Sequence, residues 1–246
     1  MQKEIMNTNI NYIFHDNKKD ITLVLLHGWG QNIEMMQPIS NRYENYFNIL
    51  IIDLPGFGKS SEPPHSWTVY EYVEAIHKLI EELSIKKVIL IGHSFGGRLS
   101  LIYSSKYKVE KLICFACPYI KEIKKLPLKT KIYKRLKKIF FLRPLANIMK
   151  NFIGSTDYKN ASDIMRGVLV QSINVDMIND IKKIKCPTLL IWGSLDTAVP
   201  LNRAYELEKL IPDCGVVVYE GATHYAYLEK INEVTLVLDS FFSIRR

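Results

Sequence analysis

Ser94 stands in Gly92-His93-Ser94-Phe95-Gly96, directly after the apolar run Val88-Ile89-Leu90-Ile91 and before a helical pattern that opens at Gly97. Small residues two before and two after a serine, between a strand and a helix, let the backbone turn sharply. The hydroxyl is then exposed at the carboxyl edge of a sheet, beside a helix N-terminus that favours developing negative charge. A serine at its ordinary pKa is a poor nucleophile and needs a base, itself oriented by an acid. Asp196 follows the apolar run TLLIWG within Ser194-Leu195-Asp196, and His224 follows VVVYE within Gly221-Ala222-Thr223-His224. The three residues therefore fall on three loops at one edge of one sheet, in the chain order Ser, Asp, His. Two backbone donors are needed for an oxyanion. One is expected to be the N–H of Phe95, and the other the N–H of Trp29 in the loop His27-Gly28-Trp29-Gly30, where glycines allow close approach. His27 is read as a brace for that loop and His93 as a packed residue before the serine, neither placed to move the reacting proton.

The elements that must position these loops are legible as short apolar runs. Residues 21–27, 48–53, 87–93, 111–117, 188–193 and 215–220 are rich in Ile, Val and Leu and continuous rather than alternating, as in parallel strands covered on both faces. Helical patterns lie between them at about 67–83, 94–106, 200–210 and 229–243. Strand–helix alternation predicts an α/β fold with a mostly parallel central sheet and helices on both faces. The more alternating N-terminal stretch IMNTNINYIF is expected to add an antiparallel edge strand. From about 119 to 180 only helical pattern appears. This predicts a helical cap at 119–180 inserted into a core made of 1–118 and 181–246. Within it, 128–142 places Ile132, Leu136, Ile139 and Phe140 on one face, and Pro144 should interrupt the helix.

Composition narrows the class. The 246 residues are 48% hydrophobic and 24% charged, which excludes a disordered or fibrous chain. No apolar run approaches the roughly 20 residues of a membrane helix, and the first residues lack the pattern of a secretory signal, so a cytoplasmic location is expected. Four cysteines are too few for a disulfide scaffold at this length. The net charge of +8 is uneven. Residues 121–150 carry eleven Lys or Arg against Glu122 alone, a net +10, leaving the remainder at −2. A solvated face is the first reading of this basic stretch. Steering of an acidic substrate such as an acyl-CoA, a phosphate ester or a carboxylate, and peripheral contact with anionic membrane, are the others. Nucleic acid is not expected, because no reading motif accompanies the charge.

Two patterns are decoys. Gly58-Lys59-Ser60 has the end of a phosphate-binding loop, but Asp53 occupies the position where that loop requires glycine. Cys114 and Cys117 form one C-x-x-C at a strand end without a second pair at metal-ligand spacing, and are read as buried thiols. Around the pocket, Trp67, Tyr119 and Tyr225 are candidate lining residues for a small-molecule substrate. Arg98, one helical turn beyond Ser94, and Arg166 either bind a carboxylate or are compensated structurally.

The chain resembles the α/β-hydrolase family nearly end to end. The likeness rests on the HGWG loop, Asp53-Leu54-Pro55-Gly56-Phe57-Gly58-Lys59-Ser60, GHSFGG, PTLLIWGSLDTAVP and GATHYAYLE. The resemblance implies Ser94 as nucleophile, His224 as base and Asp196 as orienting acid, with no metal and no organic cofactor. The family includes esterases, lipases, thioesterases, C–C bond hydrolases, peroxidases, dehalogenases and a menaquinone-pathway lyase. Dehalogenases use aspartate as nucleophile, where this chain has Ser94. The expectation is a serine hydrolase cleaving a small or medium carboxylic ester through an acyl-enzyme. A C–C hydrolase or lyase holding carboxylates with cap arginines, and a low-turnover ligand sensor, are the alternatives, because a fold alone does not set a substrate.

Overall fold

The computed structural model describes residues 1–121 and 156–244. The strands are β1 (Gln2–Ile5), β2 (Thr8–His15), β3 (Thr22–Leu26), β4 (Asn48–Ile52), β5 (Val88–His93), β6 (Lys111–Phe115), β7 (Thr188–Gly193) and β8 (Cys214–Tyr219). They form one sheet in the order β1-β2-β4-β3-β5-β6-β7-β8. β3 to β8 are parallel to one another, as the continuous apolar runs predict. β1 and β2 are antiparallel additions, so the N-terminal stretch supplies two strands where one was expected. Met6 and Asn7, at φ 53° and 57°, make the two-residue turn between them.

Each parallel strand feeds both faces. In β3, Val24 and Leu26 join one core while Leu23 and Leu25 join the other. The first core is covered by α2 (Val69–Glu82) and α3 (Phe95–Lys106). The second lies under α1 (Gln37–Tyr43) and the C-terminal helix (Ile231–Phe242), stitched by the Tyr43 hydroxyl, which is 3.1 Å from both the Thr235 carbonyl and Asp239 Oδ1. Helix α2 begins with a reciprocal cap: Thr68 Oγ1 accepts from the Glu71 N–H, and the Glu71 carboxylate accepts from the Thr68 N–H.

Between β6 and β7 the described residues include α4 (Thr156–Asn160), α5 (Asp163–Asn174) and α6 (Ile178–Ile181). The helix expected at 128–142, its break at Pro144 and most of the basic stretch lie outside the described residues. Helix α5 is seated closely on the core. The Ser66 hydroxyl donates to the Ile164 carbonyl at 2.8 Å, and Gln171 Nε2 donates to the Ser66 carbonyl at 2.9 Å. A Cβ on Gly167 would stand 2.0 Å from Ser66 Oγ, so glycine permits the approach. Beyond β7, α7 (Asn202–Glu208) packs on β7 and β8. A short helix, α8 (Ala226–Glu229), precedes the helix expected at 229–243, which is α9 (Ile231–Phe242); Lys230, at φ −122° and ψ 38°, separates the two. Among the described residues no helix is long and apolar enough to cross a membrane.

Candidate active site

Ser94 occupies the turn between β5 and α3 with φ 49° and ψ −109°. This left-handed backbone costs a non-glycine residue about 1–3 kcal/mol and persists only where its surroundings impose it. They do so here. The Ser94 N–H donates to the Phe115 carbonyl at 2.9 Å, and the Gly96 N–H donates to the His27 carbonyl at 3.0 Å. A Cβ on Gly96 would fall 2.3 Å from the Leu26 carbonyl oxygen, and one on Gly92 would fall 2.5 Å from the Gly96 carbonyl. The spacing of the two glycines thus follows from how tightly the turn packs on β3 and on itself. Phe95 is the first residue of α3, so its N–H has no intrahelical acceptor. Among the described residues neither that N–H nor the Trp29 N–H donates to another protein group.

Asp196 and His224 reach the same edge from the loops after β7 and β8. Asp196 is buried, and its Oδ1 accepts from the N–H groups of Ala198 and Val199, both at 2.8 Å. Its Oδ2 lies 2.8 Å from His224 Nδ1. A carboxylate only accepts, so Nδ1 carries the proton and Nε2 is left as the basic nitrogen. The two loops are joined by backbone bonds, Leu195 N–H to the Ala222 carbonyl at 2.9 Å and Ser194 N–H to the Tyr219 carbonyl at 3.0 Å. A Cβ on Gly193 would meet the Thr223 carbonyl at 2.2 Å. The His224 loop is also held by Glu229, which accepts from both the N–H and the hydroxyl of Thr223.

A frame of buried polar groups stands behind these loops. His27 Nε2 accepts from the Leu54 N–H at 3.0 Å, and its Nδ1 donates to the Gly28 carbonyl at 2.7 Å. His93 is buried beside the His224 ring, with centroids 4.9 Å apart. Burial pushes His27 down to about 4, and burial with the neighbouring His224 pushes His93 down to about 3. Asp53, fully inside, accepts from the N–H groups of Ile33 and Lys59 and from Asn11 Nδ2, each at 2.8 Å. It ties the 28–33 loop to the 53–60 loop, and a Cβ on Gly58 would collide with its carboxylate. The residue that spoils the phosphate-loop pattern is therefore a loop organiser. Trp29, Phe57 and Phe95 meet edge to face at 4.9–6.3 Å between centroids. Beside them a cavity of about 360 Å³ is bounded by Trp29, Gly56, Phe57, Glu62, Asp157 and Met165, among other residues.

The family model for the alpha/beta hydrolase fold matches residues 21–117. A pimeloyl-[acyl-carrier protein] methyl ester esterase of Wigglesworthia glossinidia brevipalpis is 30% identical over 215 residues, covering 77% of this chain and 80% of that protein. The chain belongs to the α/β-hydrolase family. Lipase 1 of Psychrobacter immobilis is a further relative, 25% identical over 257 residues and covering 95% of this chain and 80% of its own. Among solved structures, the enol-lactonase from Burkholderia xenovorans LB400 superposes with a TM-score of 0.77 at 18% identity, covering 99% of this chain and all of the other. At that identity the likeness concerns the fold.

The remaining candidate residues of the hydrolase separate into two groups. Tyr225 sits at the site, partly exposed, with its ring 5.6 Å from His224 and 5.3 Å from His93. The others are engaged elsewhere. Trp67 is wholly buried, edge-on to Tyr72 at 5.4 Å, a core residue rather than a lining one. Tyr119 is buried, and its hydroxyl donates to Glu206 on α7 at 3.2 Å. Arg98 is buried in α3 with Nη1 3.8 Å from Met177 Sδ. Arg166 gives Nε to the Tyr158 carbonyl and Nη2 to the Lys159 carbonyl, both at 2.9 Å, and Nη1 to Asp163 at 3.1 Å. That guanidinium caps the C-terminal end of α4. Cys114 and Cys117 are buried and free, and burial raises the Cys114 thiol well above its ordinary range.

Proposed function

We propose that this α/β hydrolase cleaves carboxylic esters through a Ser94 acyl-enzyme. The observation that carries the reading is the 2.8 Å contact from His224 Nδ1 to Asp196 Oδ2, which presents His224 Nε2 as base at the sheet edge where the strained turn presents Ser94. In this scheme His224 takes the hydroxyl proton as Ser94 Oγ attacks the carbonyl carbon. The N–H groups of Trp29 and Phe95 hold the oxyanion of the tetrahedral intermediate. Collapse transfers the proton from His224 to the departing alcohol oxygen and leaves an ester on Ser94. Water, deprotonated by His224, then attacks that ester and releases the acid and Ser94.

The substrate class we favour is an alkyl ester of an acyl group borne on an anionic carrier. The relative from Wigglesworthia is named for a methyl ester on an acyl-carrier protein. The net +10 of residues 121–150 is suited to attracting an acidic carrier. Such a substrate fits the cytoplasmic location and the helical cap expected from the sequence. The lyase reading asks for arginines that hold carboxylates. Arg98 and Arg166 are both engaged in packing and capping, which favours the ester reading.

The test is labelling by a fluorophosphonate together with turnover of p-nitrophenyl esters from acetate to decanoate and of a methyl ester on an acyl-carrier protein. Labelling at Ser94, and a loss of about 10⁴-fold or more in kcat for Ser94→Ala, is expected. Normal turnover by Ser94→Ala sinks the mechanism. Turnover of free methyl esters as fast as of carrier-borne ones sinks the carrier assignment.

A further inference from the structure

The second oxyanion donor depends on the orientation of one peptide plane, and the structure shows what orients it. All peptide bonds among the described residues are trans, so the Gly28 carbonyl and the Trp29 N–H point in opposite directions. The Gly28 carbonyl is held from the protein side by His27 Nδ1 at 2.7 Å and by the Gln31 N–H at 3.3 Å. The Gly28 N–H donates to the Gln31 side chain at 2.8 Å. Gly28 is thus gripped at both ends, and Gln31 contributes to each grip. A Cβ on Gly28 would stand 2.8 Å from Gln31 Oε1 and 2.9 Å from His93 Nδ1, so no larger residue fits this knot.

The Gln31 amide orientation follows from the one donor whose identity is fixed. Because the Gly28 N–H can only donate, the Gln31 atom that it meets is the amide oxygen. That oxygen lies 3.1 Å from His93 Nδ1 and, as an amide oxygen, can only accept from it. His93 Nε2 faces the His224 carbonyl at 3.1 Å. Both neighbours are acceptors and a neutral ring has a single N–H, so only one of these two contacts is a hydrogen bond. Burial keeps this ring neutral down to about pH 3, so at working pH only its Nδ1–H tautomer holds Gln31.

We propose that Gln31 and His93 are positioning residues, which fix the Gly28–Trp29 peptide so that its N–H is presented to the oxyanion formed at Ser94. The assignment rests on the serine-esterase reading above, and neither residue touches substrate in it. A misaligned donor weakens the transition state without weakening ground-state binding.

Two measurements on the full chain test this. Ring ¹⁵N spectra of His93 in the wild-type protein between pH 6 and 8 are expected to show a neutral ring protonated at Nδ1. In Gln31→Leu, kcat should fall about 10- to 100-fold with KM within about twofold. The affinity for a trifluoromethyl ketone should fall in parallel with kcat/KM. Gln31→Glu keeps an acceptor for both donors and should restore kcat to within about fivefold. An Nε2-protonated ring, an unchanged kcat in Gln31→Leu, or equal losses in the Leu and Glu variants would overturn the proposal. Retained turnover in Ser94→Ala overturns the reading beneath it instead, and the two failures are separable because the His93 tautomer is read without substrate.

Discussion

The Ser94 turn and the loops of Asp196 and His224 meet at one edge of the sheet, and both use main-chain bonds and close glycines, but the second region adds a set of side-chain acceptors that the first lacks. At Ser94 the constraint is the backbone. Carbonyls of β3 and of the turn itself crowd Gly92 and Gly96, and main-chain bonds to Phe115 and His27 fix the strained φ. At Asp196 and His224 much of the hold comes from side-chain acceptors: Asp196 takes two N–H groups and an imidazole, and Glu229 takes both donors of Thr223. A region held by crowding is vulnerable to added atoms. A region held by polar bonds is vulnerable to a change of donor or acceptor that leaves every volume the same.

This contrast has measurable consequences. The largest effect is expected from Asp196→Asn, which conserves shape but offers an N–H where His224 Nδ1–H needs an acceptor. It should reverse the imidazole tautomer and lower kcat by about 10⁴-fold, with a melting temperature close to wild type. Unfolding of this variant would break the contrast. Next, Gly96→Ala adds one methyl group 2.3 Å from the Leu26 carbonyl. It should cost about 3 kcal/mol or more in urea unfolding, or prevent folding outright; a stable, active Gly96→Ala would show that the turn is not crowded after all.

A smaller effect comes from the buried histidines. An unfolded histidine takes its proton at about pH 6.5, whereas His27 and His93 in the folded chain do so at about 4 and about 3. Between these limits the unfolded chain binds more protons. The stability present above about pH 6.5 is therefore lost as the pH falls toward 4 and 3, at up to about 1.4 kcal/mol per pH unit for each ring. Urea midpoints measured from pH 7 to 4.5 should decline, and His93→Phe should decline less steeply. An equal slope in that variant would show that His93 in the wild-type fold titrates like an unfolded histidine.

Much of this architecture is legible in the sequence because it is written in local pattern. The parallel strands appear as continuous apolar runs between helical patterns, and the Ser94 turn as two glycines at fixed spacing. The order Ser94, Asp196, His224 follows from which loops end which strands. What the sequence hides is set by partners far away along the chain. Gln31 looks like any loop residue until His93, 62 positions on, is beside it. Asp53 reads as the flaw in a phosphate loop until Asn11, Ile33 and Lys59 converge on it. The arginines and aromatics err in the other direction. Arg166 and Trp67 have the chemistry of a pocket, but one caps a neighbouring helix and the other is enclosed by the core. The second antiparallel strand and the short helix α8 are not legible because each depends on local backbone conformation, left-handed at Met6 and Asn7 and non-helical at Lys230.

The strained turn has one more implication, for how such a protein changes over time. The side chain of Ser94 contributes no cap to α3, and the turn is kept by glycines and main-chain bonds that are indifferent to what residue 94 carries beyond Cβ. Scaffold and reagent are therefore separable. Replacing the hydroxyl by a thiol or a carboxylate alters the reaction on offer while leaving the supporting parts unaltered, whereas hardly any change is open to Gly92 or Gly96. Inheritance is rigid at the neighbours and permissive at the centre, and a lineage can exchange its chemistry at this position in one step without rebuilding the protein around it.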